Sequence, residues 1–567
     1  MFEVHQILRE ASVRYYDVEV VIRKPFKTPG PDSEYNKTVI VLADISVVDA
    51  HANWAIAART ILERLIALGR DDINVEIVDV EAAWEFNNAV VEDDETVQAW
   101  HNVHIQMMQE LGEMQWNSID ILMRSLGQVK QTTSPTMYIT ASDTNDPKWW
   151  DEVLPRLRQA APVGFDIELI HGDPVIGHHT TPPDEERIIR DKEPDNFTSL
   201  DHYGPIVPMG SSVGVEPEFS GTAGGYIELR DQATAEVVHC AITNHHIIAR
   251  HTDAKAVELG TPITASRTLA NERKIPAQSP SDADHLRMQK HAAWRMQIYD
   301  SGDDEDKQAL KNATAQAKTI DTFDKDSRLL GHVLATSGYR GVENAMYTAA
   351  QTIKFSRVID LKYAETKAAE QSLHEKINGQ VLDWAMDWAV IETAQRRMHK
   401  RTPTATKKAV VPFFAYTDEY QTIDPHKSYD VAKFGRTSEW TTGKISKIGS
   451  YLRLRHDRAS VVPAELEPRF GKIVLAYGIL SNDKNEEFLA PGDSGSLVLL
   501  QTSIITQKRK KAMVVGLGFA ANLLTRVAYM MPMDLVIRDI ESVTGFTVTS
   551  PTLVQGVAGD EIPSDDL

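Results

Sequence analysis

The stretch Ala490-Pro491-Gly492-Asp493-Ser494-Gly495-Ser496 sets a serine between two glycines, just before the apolar run Leu497-Val498-Leu499-Leu500. Glycine on either side permits backbone dihedrals that other residues resist. A turn of that kind can lift one hydroxyl out of the backbone and aim successive N–H groups at one point. Acyl transfer needs both, an exposed nucleophile and donors for the oxyanion that forms beside it. Read alone, the stretch is equally a surface turn leading into a core strand. A catalytic reading requires that the chain also supply a base and an acid to orient it.

A strand pattern from Glu236 to Thr243 runs straight into Asn244-His245-His246-Ile247-Ile248. A histidine at the end of a buried strand is well placed to be a rigidly held base. The competing reading is a packed core histidine. Neighbouring residues on a strand face opposite sides, so one of the pair is the candidate and the other structural. Between this segment and the serine, Val381 to Glu392 offers two aspartates, Asp383 and Asp387.

These segments resemble the trypsin/chymotrypsin-like serine proteases, in their intracellular, disulfide-free branch. The histidine motif there reads Thr-Asn, any residue, His, then aliphatic. Thr243-Asn244-His245-His246-Ile247 fits it with His246 as base. The acid motif reads Asp, any residue, Ala, then two apolar residues. Asp387 fits, with Ala389, Val390 and Ile391; Asp383 fails, because its fourth follower is Asp387. Base, acid and serine follow in the family's chain order. Val431 to Ser438 with Trp440 to Ile445, then Gly471 to Tyr477, Ala512 to Gly518 and Ala528 to Met533 resemble later strands of the second barrel, with a closing helix from Met533 to Val543. The resemblance spans about Val213 to Thr547.

The resemblance implies an all-β double barrel and a triad of His246, Asp387 and Ser494, with the N–H groups of Gly492 and Ser494 as oxyanion hole. It puts the substrate pocket at Phe488, Gly516 and Gly518, and Phe488 and Leu489 suggest an apolar one. It implies no metal or organic cofactor. In activated secreted members the residue matching Asp493 pairs with a new terminal amine. The usual activation site is missing here, so the site is expected to form without cleavage. The segment between His246 and Asp387 is longer than in compact members. Residues 282–317 read as an inserted helical hairpin, with Leu286, Met288, Ala293, Trp294, Met296 and Ile298, then Leu310, Ala313 and Ala315, as its apolar positions and an acidic turn from Asp300 to Asp306 between. Ser503 to Lys511 reads as a solvated hairpin tip.

At 567 residues the chain is expected to hold two or three domains. Residues 1–171 read as an α/β domain. Strands at Val18–Arg23, Thr38–Ala43 and Val75–Val80 flank a helix over Asn53–Leu68. A second β-α-β unit follows: strand Thr136–Thr140, helix Pro147–Ala160, strand Phe165–Ile170. The pair suggests a degenerate internal duplication. Glu95 to Leu126 reads as one long helix. His101 and His104, three apart, could hold a metal, but packing or solvation is the simpler reading. Residues 172–208 are polar and rich in Pro, Asp and Glu, a linker; residues 549–567 are a tail.

A formal net charge of -21 argues against nucleic acid and anionic membrane as partners. Cys240 stands alone, so no intramolecular disulfide can form, and the first residues lack a signal-peptide pattern. Cytoplasm, or nucleus, is the expected setting. The functional expectation is a serine endopeptidase acting on protein or peptide, with the first domain available to a protein partner. The alternative is an inactive protease fold used as a binding module. An α/β-hydrolase esterase is excluded, because Gly492-Asp493-Ser494-Gly495 lacks the Gly-x-Ser-x-Gly spacing and the histidine comes first.

Overall fold

The computed structural model describes residues 2–23, 36–80, 86–112, 114–126, 132–172, 175–176, 202–215, 220–248, 275–299, 304–338, 340–342, 383–393, 397–403, 415–424, 427–453, 473–484, 486–501 and 511–557. Most of the linker, the start of the acidic turn, the hairpin tip up to Lys510 and the end of the tail lie outside them.

The N-terminal region uses one order of elements twice. Helix α1 (Phe2–Glu10), strands β1 (Tyr15–Arg23) and β2 (Asn36–Ala43), helix α2 (Ala50–Ala67) and strand β3 (Ile73–Asp79) come first. Then, after β4 (Phe86–Ala89), come α3 (Asp94–Leu111), β5 (Trp116–Leu126), β6 (Thr132–Ala141), a π turn (Trp149–Val153) leading into α4 (Leu154–Ala160), and β7 (Asp166–His171). In each set the first two strands pair antiparallel and the last two parallel.

The long helix expected from Glu95 to Leu126 is corrected. It ends at Leu111, where Gly112 takes a φ of 54°, and Trp116–Leu126 is a strand. Glycine, having no Cβ, takes such a positive φ at little steric cost. The strand was hard to read because it is buried on both faces. Ile119 and Ile121 enter one core and Leu122 another, while Asn117, Ser118 and Asp120 are buried as well. Alternation of apolar and polar residues vanishes in such a strand.

The two sets do not share a core. The first packs Leu8, Val39, Val41, Ala57 and Ile61 together. The second packs Trp100, Trp116 and Trp149, and takes in Ile448, Tyr451 and Ile473 from far along the chain.

Beyond Gly172 the chain is mainly β. Its strands include β8 (Val175–Ile176), β9 (Ser211–Val213), β10 (Gly221–Ala223), β11 (Gly225–Asp231), β12 (Val237–Thr243), β13 (Pro276–Gln278), β14 (Leu329–Thr336), β15 (Ala389–Thr393), β16 (Tyr429–Gly435), β17 (Glu439–Ile445), β18 (Ser450–Arg453), β19 (Ile473–Ser481), β20 (Leu497–Leu500), β21 (Lys511–Asn522), β22 (Val527–Pro532) and β23 (Phe546–Ser550). One six-stranded sheet runs β13-β14-β15-β12-β11-β23. A second group closes on itself: β16 pairs β17, then β19, β22, β21, β20 and back to β16. Closure removes exposed edges, and the interior must then be filled by side chains. Accordingly, β21 is buried from Ala512 to Asn522. The second N-terminal set joins this assembly through β5, which pairs with β18.

The inserted hairpin is α5 (Asp282–Tyr299) and α6 (Asp304–Thr322). Its buried face carries Asp284, His285, Met288, His291 and Ala292, so Leu286 and Ile298 are exposed rather than inward. Helix α7 (Met533–Thr544) follows β22, and the first part of the expected tail is a strand, Thr552–Val557. Among the described residues no helix is long and apolar enough to cross a membrane.

Candidate active site

Strand β12 ends at Thr243, and His245–Ile247 forms a single 3-10 turn beyond it. The turn separates the two histidines. His246 Nδ1 lies 2.5 Å from Asp387 Oδ2, and the other carboxylate oxygen accepts the His246 backbone N–H at 2.9 Å. Both side chains are 1% exposed. The Asp387 carbonyl accepts from Asn244 Nδ2 at 2.7 Å and from the His245 N–H at 3.0 Å. Four contacts thus fix one aspartate against one turn. His245 instead turns to Thr336 of β14. Asp383 lies elsewhere, on a short strand paired with Val474.

Ser494 sits where both flanking glycines have positive φ, +97° at Gly492 and +95° at Gly495. A side chain at Gly492 would meet Thr437 Oγ1 and the Arg436 guanidinium; one at Gly495 would meet the Thr222 carbonyl oxygen. The turn is therefore pressed against β10 and the end of β16 on glycine surfaces. Thr222 ties it to the histidine strand. Its N–H donates to the Ser494 carbonyl at 2.8 Å, its Oγ1 donates to the Gly492 carbonyl at 2.9 Å, and its own carbonyl accepts from Thr243 Oγ1 at 2.8 Å. The Ser494 hydroxyl donates to the Phe519 carbonyl at 3.0 Å. The N–H groups of Asp493, Gly495 and Ser496 go to Ala490, Gly518 and Asp493 carbonyls. Among the described residues, those of Gly492 and Ser494 have no hydrogen-bond partner. Backbone donors in a packed turn rarely stay unpaired without a reason.

Beneath the turn lies a buried ion pair that the sequence reading missed. Lys433 Nζ is 2.6 Å from Asp493 Oδ2, and both side chains are fully buried. Asp493 also accepts from the Thr437 N–H at 2.8 Å, the Ala490 N–H at 3.0 Å, the Ser438 N–H at 3.2 Å and Ser438 Oγ. Burial opposes the charge on both partners. At Asp493 the Lys433 ammonium and these donors outweigh burial and hold the carboxyl below its usual range. At Lys433 burial prevails and lowers the ammonium. The missed signal was alternation: Lys433 shares a strand face with Val431 and Gly435, and all three are buried.

A small open cavity adjoins Ser494, lined by Leu489, Ala490, Pro491, Ala520, Ala521 and Leu523. None of the three expected pocket residues lines it. Phe488 is fully buried behind the loop, against Gly443, and gives its carbonyl to Thr441 Oγ1. Gly518 backs Leu489, and Gly516 backs Met530. The cavity is apolar, but its walls stand a residue or two further along than the motif suggested.

Elsewhere, His104 of α3 packs against Trp100 and its Nδ1 lies 2.8 Å from the His101 carbonyl. Among the described residues no cluster of three or more His, Cys, Asp and Glu side chains could hold a metal ion. Cys240 is buried in β12, and burial pushes its thiol up. No family model matches the chain, and no curated protein matches it.

Proposed function

We propose that the chain is a serine endopeptidase of the trypsin/chymotrypsin-like type, with the open six-stranded sheet and the closed barrel as its two β halves. The observation that carries this reading is the buried His246–Asp387 pair. It is held by both carboxylate oxygens, at the end of a strand tied through Thr222 to the turn bearing Ser494.

In the proposed reaction, the Ser494 hydroxyl exchanges its bond to the Phe519 carbonyl for one to His246 Nε2. The imidazole accepts the proton as Ser494 Oγ attacks a peptide carbonyl. Asp387 fixes the tautomer and stabilises the imidazolium. The oxyanion meets the N–H groups of Gly492 and Ser494. One such donor is worth about 3–4 kcal/mol in related sites. His246 then protonates the leaving amine, and water, activated by the same base, hydrolyses the acyl-enzyme. The cavity beside Ser494 takes an apolar side chain of modest size.

One observation favours the binding-module alternative: the Ser494 hydroxyl donates to Phe519. The two readings are separated by an active-serine phosphonate probe and a peptide-library cleavage assay. The endopeptidase reading expects labelling that is lost in Ser494→Ala, and turnover reduced by about 10⁴-fold or more in Ser494→Ala and His246→Ala. Folded wild-type protein that is neither labelled nor cleaves any peptide would establish the binding module.

A further inference from the structure

We infer that Lys433 is a positioning residue for the proposed reaction: an internal counter-ion that holds the Gly492–Ser494 turn in its working shape, so that the site needs no chain terminus. The inference rests on the endopeptidase reading. Asp493 stands between the two oxyanion donors, and its carboxylate points into the protein. There it gathers Ala490 on one side of the turn and Thr437 and Ser438 on the other. Thr437 Oγ1 also donates to the Pro491 carbonyl at 2.8 Å. A carboxylate so placed, with no cation, is costly to bury. Its cheapest relief is to swing toward water, which would drag the Gly492 and Ser494 N–H groups out of line. Lys433 comes from a strand of the closed barrel and donates also to Ser438 Oγ. The cation is therefore as rigid as the barrel wall. Lys433 touches no reacting atom and acts only through Asp493.

The test compares wild type, Lys433→Met and the double variant Lys433→Met/Asp493→Asn. All three are checked for cooperative unfolding, then assayed for phosphonate labelling and peptide hydrolysis from pH 5 to 9. Lys433→Met is expected to lose about 100-fold or more at pH 8, chiefly in kcat rather than KM. Part of that loss should return at acid pH, where a proton neutralises Asp493. The double variant, with no stranded charge, should regain at least about tenfold. A merely structural role would give neither the acid recovery nor the kcat-specific loss. A folded Lys433→Met enzyme within about threefold of wild type overturns the inference. So does a folded double variant with no turnover, and that arm decides if the single variant fails to fold. Wild type that is neither labelled nor active refutes the endopeptidase reading instead.

A second inference rests on a different observation, the pairing of β21 beyond its contact with β20. Val175 and Ile176 pair antiparallel with Ala521 and Ala520, two residues that line the cavity beside Ser494. Gly172, just upstream, is held by the Ala141 carbonyl and by Asn117 Nδ2, and lies against Leu524. A peptide adding a strand to this edge would use the same backbone groups. The geometry points to Val175–Ile176 as a tethered strand that a substrate must displace, again on the endopeptidase reading.

The probe is a fluorescent peptide of residues 171–180, titrated into full-length Ser494→Ala protein with and without Val175→Pro/Ile176→Pro, which takes away whichever backbone donor of the pair faces β21. Binding at least about tenfold tighter to the proline variant supports the tether. Equal or weaker binding overturns it. Absence of binding to both proteins removes the peptide-cleft reading, and the tether with it.

Discussion

At Gly495 the chain combines a φ of +95° with close approach: a methyl group there would sit 2.2 Å from the Thr222 carbonyl oxygen and 2.7 Å from Thr243 Oγ1. Neither neighbour is free to retreat, since Thr222 and Thr243 bond each other and span β10 and β12. Gly495→Ala must therefore move the Ser494 turn. A positive-φ residue with a side chain costs about 1–3 kcal/mol in strain alone. A displacement of about 1 Å at a nucleophile costs about 100-fold in rate. The expected result is a folded protein with peptide turnover down about 100-fold. Gly69→Ala is the control. It has φ +71° but nothing within 4 Å, and should lose about 1 kcal/mol of stability with turnover unchanged. Equal turnover in both variants would show that the turn tolerates movement. The contact between His246 and Asp387 could be anticipated from the sequence because each residue lies in a short local pattern. Lys433 shows in the sequence only as one position of an alternating strand, because its partner is 60 residues away and the pairing of β16 with β20 is what makes them neighbours.

Strands and helices were legible where one face meets water. The helix α2 and the strands β2 and β3 appear within a few residues of their expected bounds, for they alternate or repeat on one side. Strand β5 was lost to the helix before it because both its faces are covered. The cavity beside Ser494 lies next to, not at, the residues named for the pocket, for a related reason. Its walls depend on which residues of β21 face the loop before Ser494, and a bulge between Gly518 and Ala520 shifts that register. The cavity edge is therefore Ala520 and Ala521. Small residues there make a testable claim about specificity. Ala521→Phe should fill the cavity and raise KM for peptides with a large apolar residue before the scissile bond by about tenfold, with less effect on peptides bearing alanine. The same KM change for both would mean that the cavity does not receive that side chain. The inserted hairpin also reaches the site. Asp284 of α5 accepts Arg436 Nε at 2.6 Å, and Arg436 lies against Gly492. The insertion thus braces the turn from behind.

Between the second N-terminal set and the barrel runs a buried polar seam whose centre is Asp120. It accepts from Ser450 Oγ at 2.6 Å, Tyr529 OH at 2.9 Å and Thr525 Oγ1 at 3.4 Å. Next to it, Asn522 Nδ2 donates to Thr140 Oγ1 and Ser118 Oγ. No sequence pattern pairs residue 120 with residue 529, so the seam was invisible until the sheet joined them. Burial raises the Asp120 carboxyl to about 6, against the partial opposition of its three donors. An unfolded aspartate titrates near 3.9. Between those values the folded chain keeps a proton that the unfolded chain has released. Stability is therefore fully present below about pH 4 and falls as pH rises through about 6. The loss is about 3 kcal/mol at most. Asp120→Asn removes this titration. Relative to wild type, its unfolding free energy in urea should rise by about 2 kcal/mol between pH 4.5 and pH 7.5. Because the comparison is a difference between two chains at each pH, titration of the groups they share cancels. A difference that stays constant with pH would mean that Asp120 is charged in the folded seam across the range. The three hydroxyl donors would then outweigh its burial.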